Sequence, residues 1–392
     1  MLILLENGES FETCEDELIR ARFLVPEGFD ERKQALDAHS LSGMLRSNSG
    51  KKTAFTILTT TDCNARCFYC YEMGRKRLAM SEQIAHVTAA YMARVSGGEQ
   101  LRLHWFGGEP LYNRRAIEII TGDLRALGIS FRSRMTTNGY YLDAETARTA
   151  KCDWNLQNVQ ITLDGTEEIH QRSKAFIERD EHAFERVLNN IVSAIENEIH
   201  VVIRLNVNQA NEEDLKQLTA QLAGRFGSNP LLRVYPHLLF SYIGSGDGFA
   251  DEREEYRALE ELQTCIRQNG LGLEEHLKLG FRTSFCMADN DGAEVLLPDG
   301  RIGKCEHYSE TEIIASIYSA EYDEDMIRSW KEYLPPLPEC DNCPLLPHCR
   351  FLRKCPSTSE HCCPADREHR TNELTRLVLA EYETWKAGKH EI

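Results

Sequence analysis

The chain has 392 residues, of which 62 are acidic and 45 basic, and its formal net charge is −17 at pH 7. This length accommodates two or three domains and a large buried core. The acidic balance disfavours nucleic acid as a partner, because phosphate binding needs a basic face. The apolar run Met1–Leu5 is too short for a signal-peptide core, and no stretch approaches a membrane span. We therefore expect a cytoplasmic protein with no membrane partner.

The cysteine content points to metal binding. The chain has 14 cysteines, and a reducing cytosol keeps thiols free for metals. Three lie in one short loop near residue 65, and eight crowd into Cys286–Cys363. The other three, Cys14, Cys152 and Cys265, are scattered as plain buried thiols usually are.

Residues 1–50 are mixed and charged, with a turn at Pro26-Glu27-Gly28 and a linker-like end at Ser47-Asn48-Ser49-Gly50. We expect them to form a small N-terminal cap or the remnant of a leader-binding segment.

Residues 51–240 alternate between apolar strands and amphipathic helices, which implies parallel strand pairing. The predicted strands are Ala54–Thr60, Leu101–Phe106, Ile129–Thr136, Val159–Leu163, Val201–Val207 and Leu231–Phe240. The predicted helices are Ser81–Val95, Arg114–Leu127, Ala144–Ala150, Glu181–Asn197 and Asn211–Arg225. The pattern fits an α/β fold, a partial (β/α)6 barrel, whose chemistry we expect at the C-terminal ends of the strands.

The first predicted strand leads into a loop that carries Cys63, Cys67 and Cys70 at C-x3-C-x2-C spacing. Three thiolates can hold three irons of a [4Fe–4S] cube and leave the fourth iron bare for a small molecule. The alternative is zinc, but structural zinc takes four ligands, and the loop holds neither a histidine nor a fourth cysteine.

This loop resembles the C-x3-C-x-aromatic-C signature of radical S-adenosylmethionine (radical SAM) enzymes, with Tyr69 as the aromatic residue. The resemblance implies that the amino and carboxylate groups of the methionine moiety of S-adenosylmethionine chelate the bare iron. It also implies that an electron from the cluster cleaves this cofactor to a 5′-deoxyadenosyl radical. A reductant such as flavodoxin or ferredoxin is the expected electron donor.

Two further motifs follow at strand ends. Gly107-Gly108-Glu109-Pro110 is either a tight turn or a match to the family's GGE motif, in which glycines permit close approach and Glu109 binds the methionine amino group. Thr136-Thr137-Asn138-Gly139 is a common turn sequence. It also resembles the family's TNG segment, which implies that Asn138 lies near the cofactor.

The fourth and fifth strands supply weaker candidates. Alternation places Gln160, Thr162 and Asp164 on one face, and the resemblance implies that Thr162 contacts the cofactor ribose. Asp164 has the alternative of capping the loop before Thr166–His170. Arg204 and Asn206 either bind cofactor carboxylate and ribose or pair with acids of the barrel.

Residues 241–280 are expected to be a linker with a charged helix, Asp251–Asn269. Strands at Glu294–Leu297 and Arg301–Lys304 flank the turn Pro298-Asp299-Gly300. Cysteines surround these strands and extend to residue 363, in an order that resembles the SPASM extension of radical SAM maturases. The resemblance implies a small auxiliary-cluster domain over residues 281–365. A helix, Asp366–Lys386, follows within the last segment, 366–392, and we expect its Leu374, Leu377, Val378 and Tyr382 to pack on the domain.

Such extensions usually bind two auxiliary [4Fe–4S] clusters, although a pair of zinc knuckles would use the same Cys-x2-Cys unit. Chain order assigns the outer cluster to Cys340, Cys343, Cys349 and one of Cys362 or Cys363. Chain order leaves Cys286, Cys305 and Cys355 for the inner cluster. No fourth thiolate is obvious, because this chain departs from the usual spacing and lacks one usual cysteine. The spare cysteine of the pair completes the inner cube, or one iron stays open; we favour the open iron, which would bind a substrate thiolate.

The resemblance to radical SAM maturases implies an enzyme that abstracts hydrogen from a ribosomally made precursor peptide. The products to expect are a thioether, a carbon–carbon crosslink, an oxidised residue or an epimer. The alternative substrate is a protein, as in sulfatase-activating enzymes. A non-catalytic electron carrier or metal-binding module is the alternative of another class, and it would bind no S-adenosylmethionine.

Overall fold

The structure of the chain is a computed structural model. The structure describes residues 50–239, 251–274, 286–308, 311–319, 321–334 and 364–389, with short pieces at 2–4, 10–12, 26–30, 33–34, 36–38, 41, 249, 340, 343, 345 and 352–355.

One nine-stranded sheet organises the molecule. Six of its strands are mutually parallel neighbours in chain order, and they are β3 (Ala54–Thr60), β4 (Leu101–Gly107), β5 (Phe131–Thr137), β6 (Leu156–Leu163), β7 (His200–Val207) and β8 (Leu232–Leu238). All six were predicted from sequence, with ends that shift by up to three residues. The α/β fold class is confirmed.

The sheet continues beyond β3 in a way that the sequence did not indicate. Strand β9 (Ala293–Leu296) pairs in parallel with β3, β10 (Arg301–Gly303) pairs antiparallel with β9, and β11 (Ile313–Ser316) pairs antiparallel with β10. The cysteine-rich half of the chain is therefore attached to the barrel by backbone hydrogen bonds. A separate two-stranded sheet pairs β1 (Leu2–Leu4) with β2 (Ser10–Glu12).

The helices of the described residues are α1 (Glu82–Ser96), α2 (Arg114–Ala126), α3 (Ala144–Cys152), α4 (Glu167–Lys174), α5 (Ala183–Glu196), α6 (Glu212–Phe226), α7 (Glu252–Gln268), α8 (Glu324–Ser329) and α9 (Pro364–Lys389). Short 3-10 turns lie at Pro110–Asn113 and Glu306–Tyr308. Helix α4 was not predicted from sequence. Its inward face carries His170, Ser173 and Lys174, so it has no apolar stripe.

Local sequence explains where several helices begin. Ser81 caps α1 by accepting a hydrogen bond from the Ile84 backbone N–H, and Asp143 and Asp251 cap α3 and α7 in the same way. Gly97 ends α1 in the left-handed conformation, which glycine adopts without strain.

The main core lies between the parallel strands and their helices, and it includes Ile57, Trp105, Ile161 and Leu205, none of which is exposed. Strand β3 is buried along nearly its whole length, as an inner strand of a parallel sheet should be. Helix α9 contacts α7 through polar pairs, including Gln263 with Glu373. Val378, which we expected on the packed face of this helix, is 50% exposed.

No helix in the described part of the chain combines the length and the hydropathy that crossing a bilayer requires.

Candidate active site

A cavity of about 700 Å³ lies where the parallel strands end. Its wall combines residues of the cysteine loop after β3, the ends of β4 to β8, and the turn that follows Cys305. The residues that the sequence singled out and that line this cavity are Cys63, Cys67, Tyr69, Cys70, Gly107, Gly108, Asn138, Gln160, Thr162, Arg204 and Asn206.

The three loop cysteines line the same cavity, and Cys63 lies within reach of polar hydrogens from nearby groups. The Ala65 backbone N–H donates to Cys63 Sγ at 3.3 Å, and the Asn138 side-chain amide lies 3.8 Å from the same sulfur. Burial raises the pKa of Cys63 to about 12 and that of Cys67 to about 11. The free thiols are therefore protonated at neutral pH, so metal binding would release protons.

The donor set fits a cluster better than a single ion. Among the described residues, no three His, Cys, Asp or Glu side chains converge as ligands of one metal ion do. An iron–sulfur cube takes each thiolate on a different iron, so its ligands stand apart, and N–H groups aimed at sulfur are typical of such sites. Three thiols on one loop, with N–H groups beside Cys63, are compatible with such a cube.

The two glycines after β4 permit close approach to the cysteine loop. A Cβ at Gly107 would lie 2.1 Å from the Thr60 carbonyl oxygen, and one at Gly108 would lie 2.3 Å from the Asp62 carbonyl oxygen. Gly107 also has φ of +121°, which L-residues with a side chain rarely adopt. The Gly108 backbone N–H donates to the Thr60 carbonyl at 3.0 Å. The motif therefore attaches the end of β4 directly to the loop.

Glu109 lies behind the cavity wall and is 0% exposed. One carboxylate oxygen accepts from the Leu111 backbone N–H at 3.0 Å and the Thr137 hydroxyl at 2.8 Å. The other accepts from the Asn138 backbone N–H at 2.8 Å. Burial raises the pKa of Glu109 to about 7 in spite of these donors. The side chain joins the ends of β4 and β5, a role that the motif did not reveal.

Asn138 connects the β5 end to the cysteine loop. Its side-chain Nδ2 donates to Asn64 Oδ1 at 2.7 Å, and its side-chain Oδ1 accepts from the Tyr140 backbone N–H at 3.0 Å. Asn138 thus combines the turn role and a position on the cavity wall, which the sequence had left as alternatives.

A buried polar network lies beside the loop around Asp164. Its carboxylate accepts from the Tyr69 hydroxyl at 2.8 Å, the Lys174 ammonium at 3.0 Å and the Asn206 amide at 2.9 Å. Burial opposes ionisation of Asp164, but the Lys174 charge and the hydrogen bonds outweigh it and hold the pKa below its usual value. The alternative role, capping of the loop before Thr166–His170, is not observed for Asp164: the Thr166 backbone N–H donates to Asp214.

Arg204 and Asn206 lie on the inner face of β7, as predicted. Arg204 Nε donates to Asn206 Oδ1 at 2.9 Å, and the guanidinium nitrogen Nη2 of Arg204 lies 3.1 Å from His237 Nδ1. Asn206 donates to the barrel acid Asp164, which is one of its two predicted alternatives. Both residues also line the cavity, as does Thr162 on β6.

Several cavity residues were not found by sequence reasoning. His104, Arg134, Tyr235 and His237 lie on inward positions of predicted strands, so strand alternation could have found them. Lys174 gave no such signal, since it belongs to the unpredicted helix α4. Burial lowers the pKa of His104 well below its usual value, which keeps that ring neutral.

The turn after Cys305 closes one side of the cavity. The Tyr71 and His307 rings lie 4.5 Å apart by their centroids, and Tyr71 also stacks on Phe106. Arg75 donates to the carbonyl oxygens of Glu306, at 3.2 Å, and His307. The loop that carries the first three cysteines therefore contacts the segment that carries the C-terminal ones.

The structure places Cys286, Cys305 and Cys355 near one another. Cys305 and Cys355 pack against the cluster of Ala288, Trp330 and Leu352. Burial raises the pKa of Cys286 to about 11, and the neighbouring Cys355 thiol adds to the effect. The Cys343 backbone N–H donates to the Cys340 carbonyl at 3.2 Å. The remaining predicted ligands, Cys349, Cys362 and Cys363, lie outside the described residues.

Residues 57–222 match the family described as the Radical SAM superfamily. The chain contains a radical SAM domain. The match begins in β3 and ends in α6, so it includes the cysteine loop and the strand ends β4 to β7 that form the cavity. Most of the candidate site therefore lies within this radical SAM domain.

A curated relative from Methanocella arvoryzae, named probable GTP 3′,8-cyclase, is 31% identical over 149 residues. The aligned part covers 36% of this chain and 43% of the relative, so this chain spans less than half of the relative's length.

Two solved structures share the fold over most of the chain. Native anSMEcpe with bound AdoMet and Cp18Cys peptide has a TM-score of 0.64 at 15% identity and covers 85% of this chain and 99% of its own. Streptococcus suis SuiB bound to precursor peptide SuiA has a TM-score of 0.55 at 13% identity, covering 83% and 79%. At these identities the likeness shows a common fold.

Proposed function

We propose that this radical SAM enzyme modifies a peptide, and that Cys63, Cys67 and Cys70 hold its catalytic [4Fe–4S] cluster. The observation that carries the proposal is that one cavity is lined both by the three thiols and by the strand ends of the barrel. When bound, the cluster supplies the electron that cleaves S-adenosylmethionine to a 5′-deoxyadenosyl radical. A reductant such as flavodoxin or ferredoxin would provide that electron.

The protein's own residues would position the cofactor within the cavity. Gly107 and Gly108 expose backbone beside the loop, Thr162 offers a hydroxyl from β6, and Arg204 offers a cation suited to a carboxylate. Three protein donors already bind the Glu109 carboxylate. Glu109 would therefore accept a hydrogen bond from the methionine ammonium only through a lone pair that these donors leave unused.

A peptide substrate is supported by the common fold with anSMEcpe and SuiB, since both solved structures contain a peptide. The cavity extends from the cysteine loop to Glu306 and His307, so its wall includes the C-terminal half of the chain. At about 700 Å³ its volume is in the range of ligand sites that enclose most of a small molecule.

The C-terminal cysteines would hold auxiliary clusters in a SPASM-like domain. Cys286, Cys305 and Cys355 would form the inner set, as their mutual proximity supports. An inner iron without a fourth thiolate would bind a cysteine of the peptide as thiolate, which favours a thioether product.

A nucleotide is the second candidate substrate. It is favoured by the match to a protein named GTP 3′,8-cyclase and by two arginines, Arg134 and Arg204, on the cavity wall. Guanidinium groups bind phosphate in bidentate geometry. Incubation with GTP under turnover conditions distinguishes this candidate, because a peptide maturase should leave GTP unchanged.

The decisive experiment replaces Cys63, Cys67 and Cys70 together with alanine. After anaerobic reconstitution, this variant should lose one cluster's iron and should form no 5′-deoxyadenosine from S-adenosylmethionine with dithionite. The exposed Cys152 on α3 provides a matched control. Cys152→Ala should retain the full iron content and should still form 5′-deoxyadenosine. If the triple variant still cleaves S-adenosylmethionine, the cluster assignment is wrong.

Substrate class is tested separately, by co-expression with short open reading frames encoded beside this gene. A thioether would appear as a peptide that has lost the mass of one hydrogen molecule and no longer reacts with a thiol alkylating reagent. A peptide unchanged in mass while 5′-deoxyadenosine accumulates would favour epimerisation or a protein substrate.

A further inference from the structure

Lys174 is a buried cation beside the cysteine loop, at the last position of α4 and 3% exposed. Its ammonium lies 2.8 Å from the Tyr69 hydroxyl and 3.0 Å from Asp164 Oδ2. It also lines the cavity together with the three loop cysteines. A lysine is almost never fully buried unless its charge is paired.

The backbone of Lys174 is fixed against the same loop. Its carbonyl oxygen accepts from the Arg66 backbone N–H at 2.8 Å and lies 4.0 Å from Cys67 Sγ. Ala175 follows in the left-handed conformation, with φ of 45°, and ends the helix there. Two residues later the Ile177 backbone N–H donates to the Asn64 carbonyl at 2.8 Å. These contacts hold Lys174 in one place relative to Cys63–Cys70.

Asp164 is the matching anion, and it contacts both the Lys174 ammonium and the Tyr69 hydroxyl. It is 1% exposed and accepts from Tyr69, Lys174 and Asn206, so its charge is well satisfied. The pair is therefore formed by two buried charges of opposite sign, both bonded to the aromatic residue of the cysteine motif.

We propose that Lys174 is a positioning residue of the catalytic cluster, which fixes Tyr69 through the Asp164 pair and whose positive charge raises the cluster's reduction potential. This inference rests on the proposed function, because it takes the cluster on Cys63, Cys67 and Cys70 as given.

The direction follows from elementary electrostatics. Reduction adds one negative charge to the cluster, so a nearby cation stabilises the reduced form and a nearby anion destabilises it. Burial leaves such charges weakly screened by salt. Lys174 and Asp164 should thus shift the potential in opposite directions, whereas a merely structural role would make both variants fail in the same way.

The test is a dithionite titration of the anaerobically reconstituted full chain, with the reduced catalytic cluster followed by electron paramagnetic resonance at pH 8. In Lys174→Met, the ratio of reduced to oxidised cluster at a fixed potential should fall about tenfold, which is about 59 mV for a one-electron couple. Asp164→Asn should raise the same ratio. Lys174→Arg should stay near the wild-type ratio because it retains the charge.

Lys151 at the last turn of α3 is the matched control, since its ammonium binds the Glu198 carbonyl oxygen outside the cavity. Lys151→Met should leave the potential unchanged. An unchanged potential in Lys174→Met, or shifts of the same sign in Lys174→Met and Asp164→Asn, overturns the proposal.

Removing one partner of a buried ion pair destabilises the fold, so Lys174→Met could fail to fold. Asp164→Asn is the second variant that keeps the proposal testable. If Lys174→Met does not fold, Asp164→Asn alone decides: an upward shift supports the proposal, and an unchanged or lower potential overturns it. Failure of the proposed function looks different, because the wild-type chain would then show no signal that depends on Cys63, Cys67 and Cys70.

Discussion

Glu109 is a carboxylate at the centre of a junction between strand ends, and three protein donors bind its two oxygens. A glutamine at this position would turn its amide hydrogens toward one of those donors, whichever way it is oriented. A buried donor that loses its acceptor costs about 1–3 kcal/mol of folding free energy. The residue's role in stability is therefore separable from any contact with the cofactor.

Glu109→Gln should accordingly lower the free energy of unfolding by about 1–3 kcal/mol and weaken S-adenosylmethionine binding by about 1.5–3 kcal/mol. Chemical denaturation and titration calorimetry measure the two effects, with exposed Glu145→Gln as control. Lost stability with unchanged affinity would restrict Glu109 to the junction and remove its role toward the ammonium group.

His170 is a buried neutral ring in α4, and it makes stability depend on pH. Its Nδ1 accepts from the Asp164 backbone N–H at 3.4 Å, and within the described residues its Nε2 has no partner. Burial, helped by Lys174, lowers the pKa of His170 from 6.5 to about 3. The folded state thus binds fewer protons than the unfolded state between these two values.

Stability should therefore be full above pH 6.5 and fall as the pH decreases toward 3, by up to about 1.4 kcal/mol per pH unit for one such group. His170→Gln should make the fall between pH 7.5 and 5.5 shallower, since glutamine does not titrate. Urea denaturation at several pH values measures the slope, and His182→Gln, at an exposed position, is the control. An unchanged slope would contradict the assignment.

At the scale of elements, the end of β4 depends on backbone packing that tolerates no side chain. Gly107→Ala would place Cβ 2.1 Å from the Thr60 carbonyl in a conformation with φ of +121°. The cysteine loop would have to move, so this variant should retain little iron after reconstitution. Gly122→Ala in α2, where nothing lies within 4 Å, should retain full iron content. Full iron in Gly107→Ala would show that the loop tolerates displacement.

The elements also show what the sequence reveals and what it cannot. Inner parallel strands such as β3 have apolar, β-branched runs because both faces are buried, so their pattern is clear. Helix α4 gives no such pattern, because the side chains that it buries, His170 and Lys174, are polar and satisfied by tertiary contacts. Strand β8 tolerates Pro236, which has no N–H to donate, because β8 is the last strand of the described sheet.

The same limit applies to the site. Motifs at strand ends identified residues of the cavity wall, since chain order and strand direction bring those ends together. Pairing between distant segments has no periodicity of its own, so the sequence did not reveal that β9 joins β3. It also did not reveal Lys174, whose position depends on where α4 ends.

At the scale of the whole molecule, the barrel and the C-terminal strands share one sheet and one buried polar cluster. Glu294 on β9 is 0% exposed and accepts from the Tyr91 hydroxyl of α1 at 2.7 Å and the Tyr322 hydroxyl at 2.8 Å. The two hydroxyls are themselves 2.7 Å apart. A helix of the barrel is thereby bonded to two segments of the cysteine-rich half, which favours unfolding of both halves as one unit.

Tyr91→Phe tests this coupling, because it removes a donor to a buried carboxylate, a loss of about 1.5–3 kcal/mol. If the halves unfold together, hydrogen exchange by mass spectrometry should show the same loss of protection in peptides covering β3 and in peptides covering β9 and β10. Tyr112→Phe, at a position 43% exposed, should change neither. Protection lost only from β9 and β10 would mean that the C-terminal strands open separately from the barrel, despite their pairing with β3.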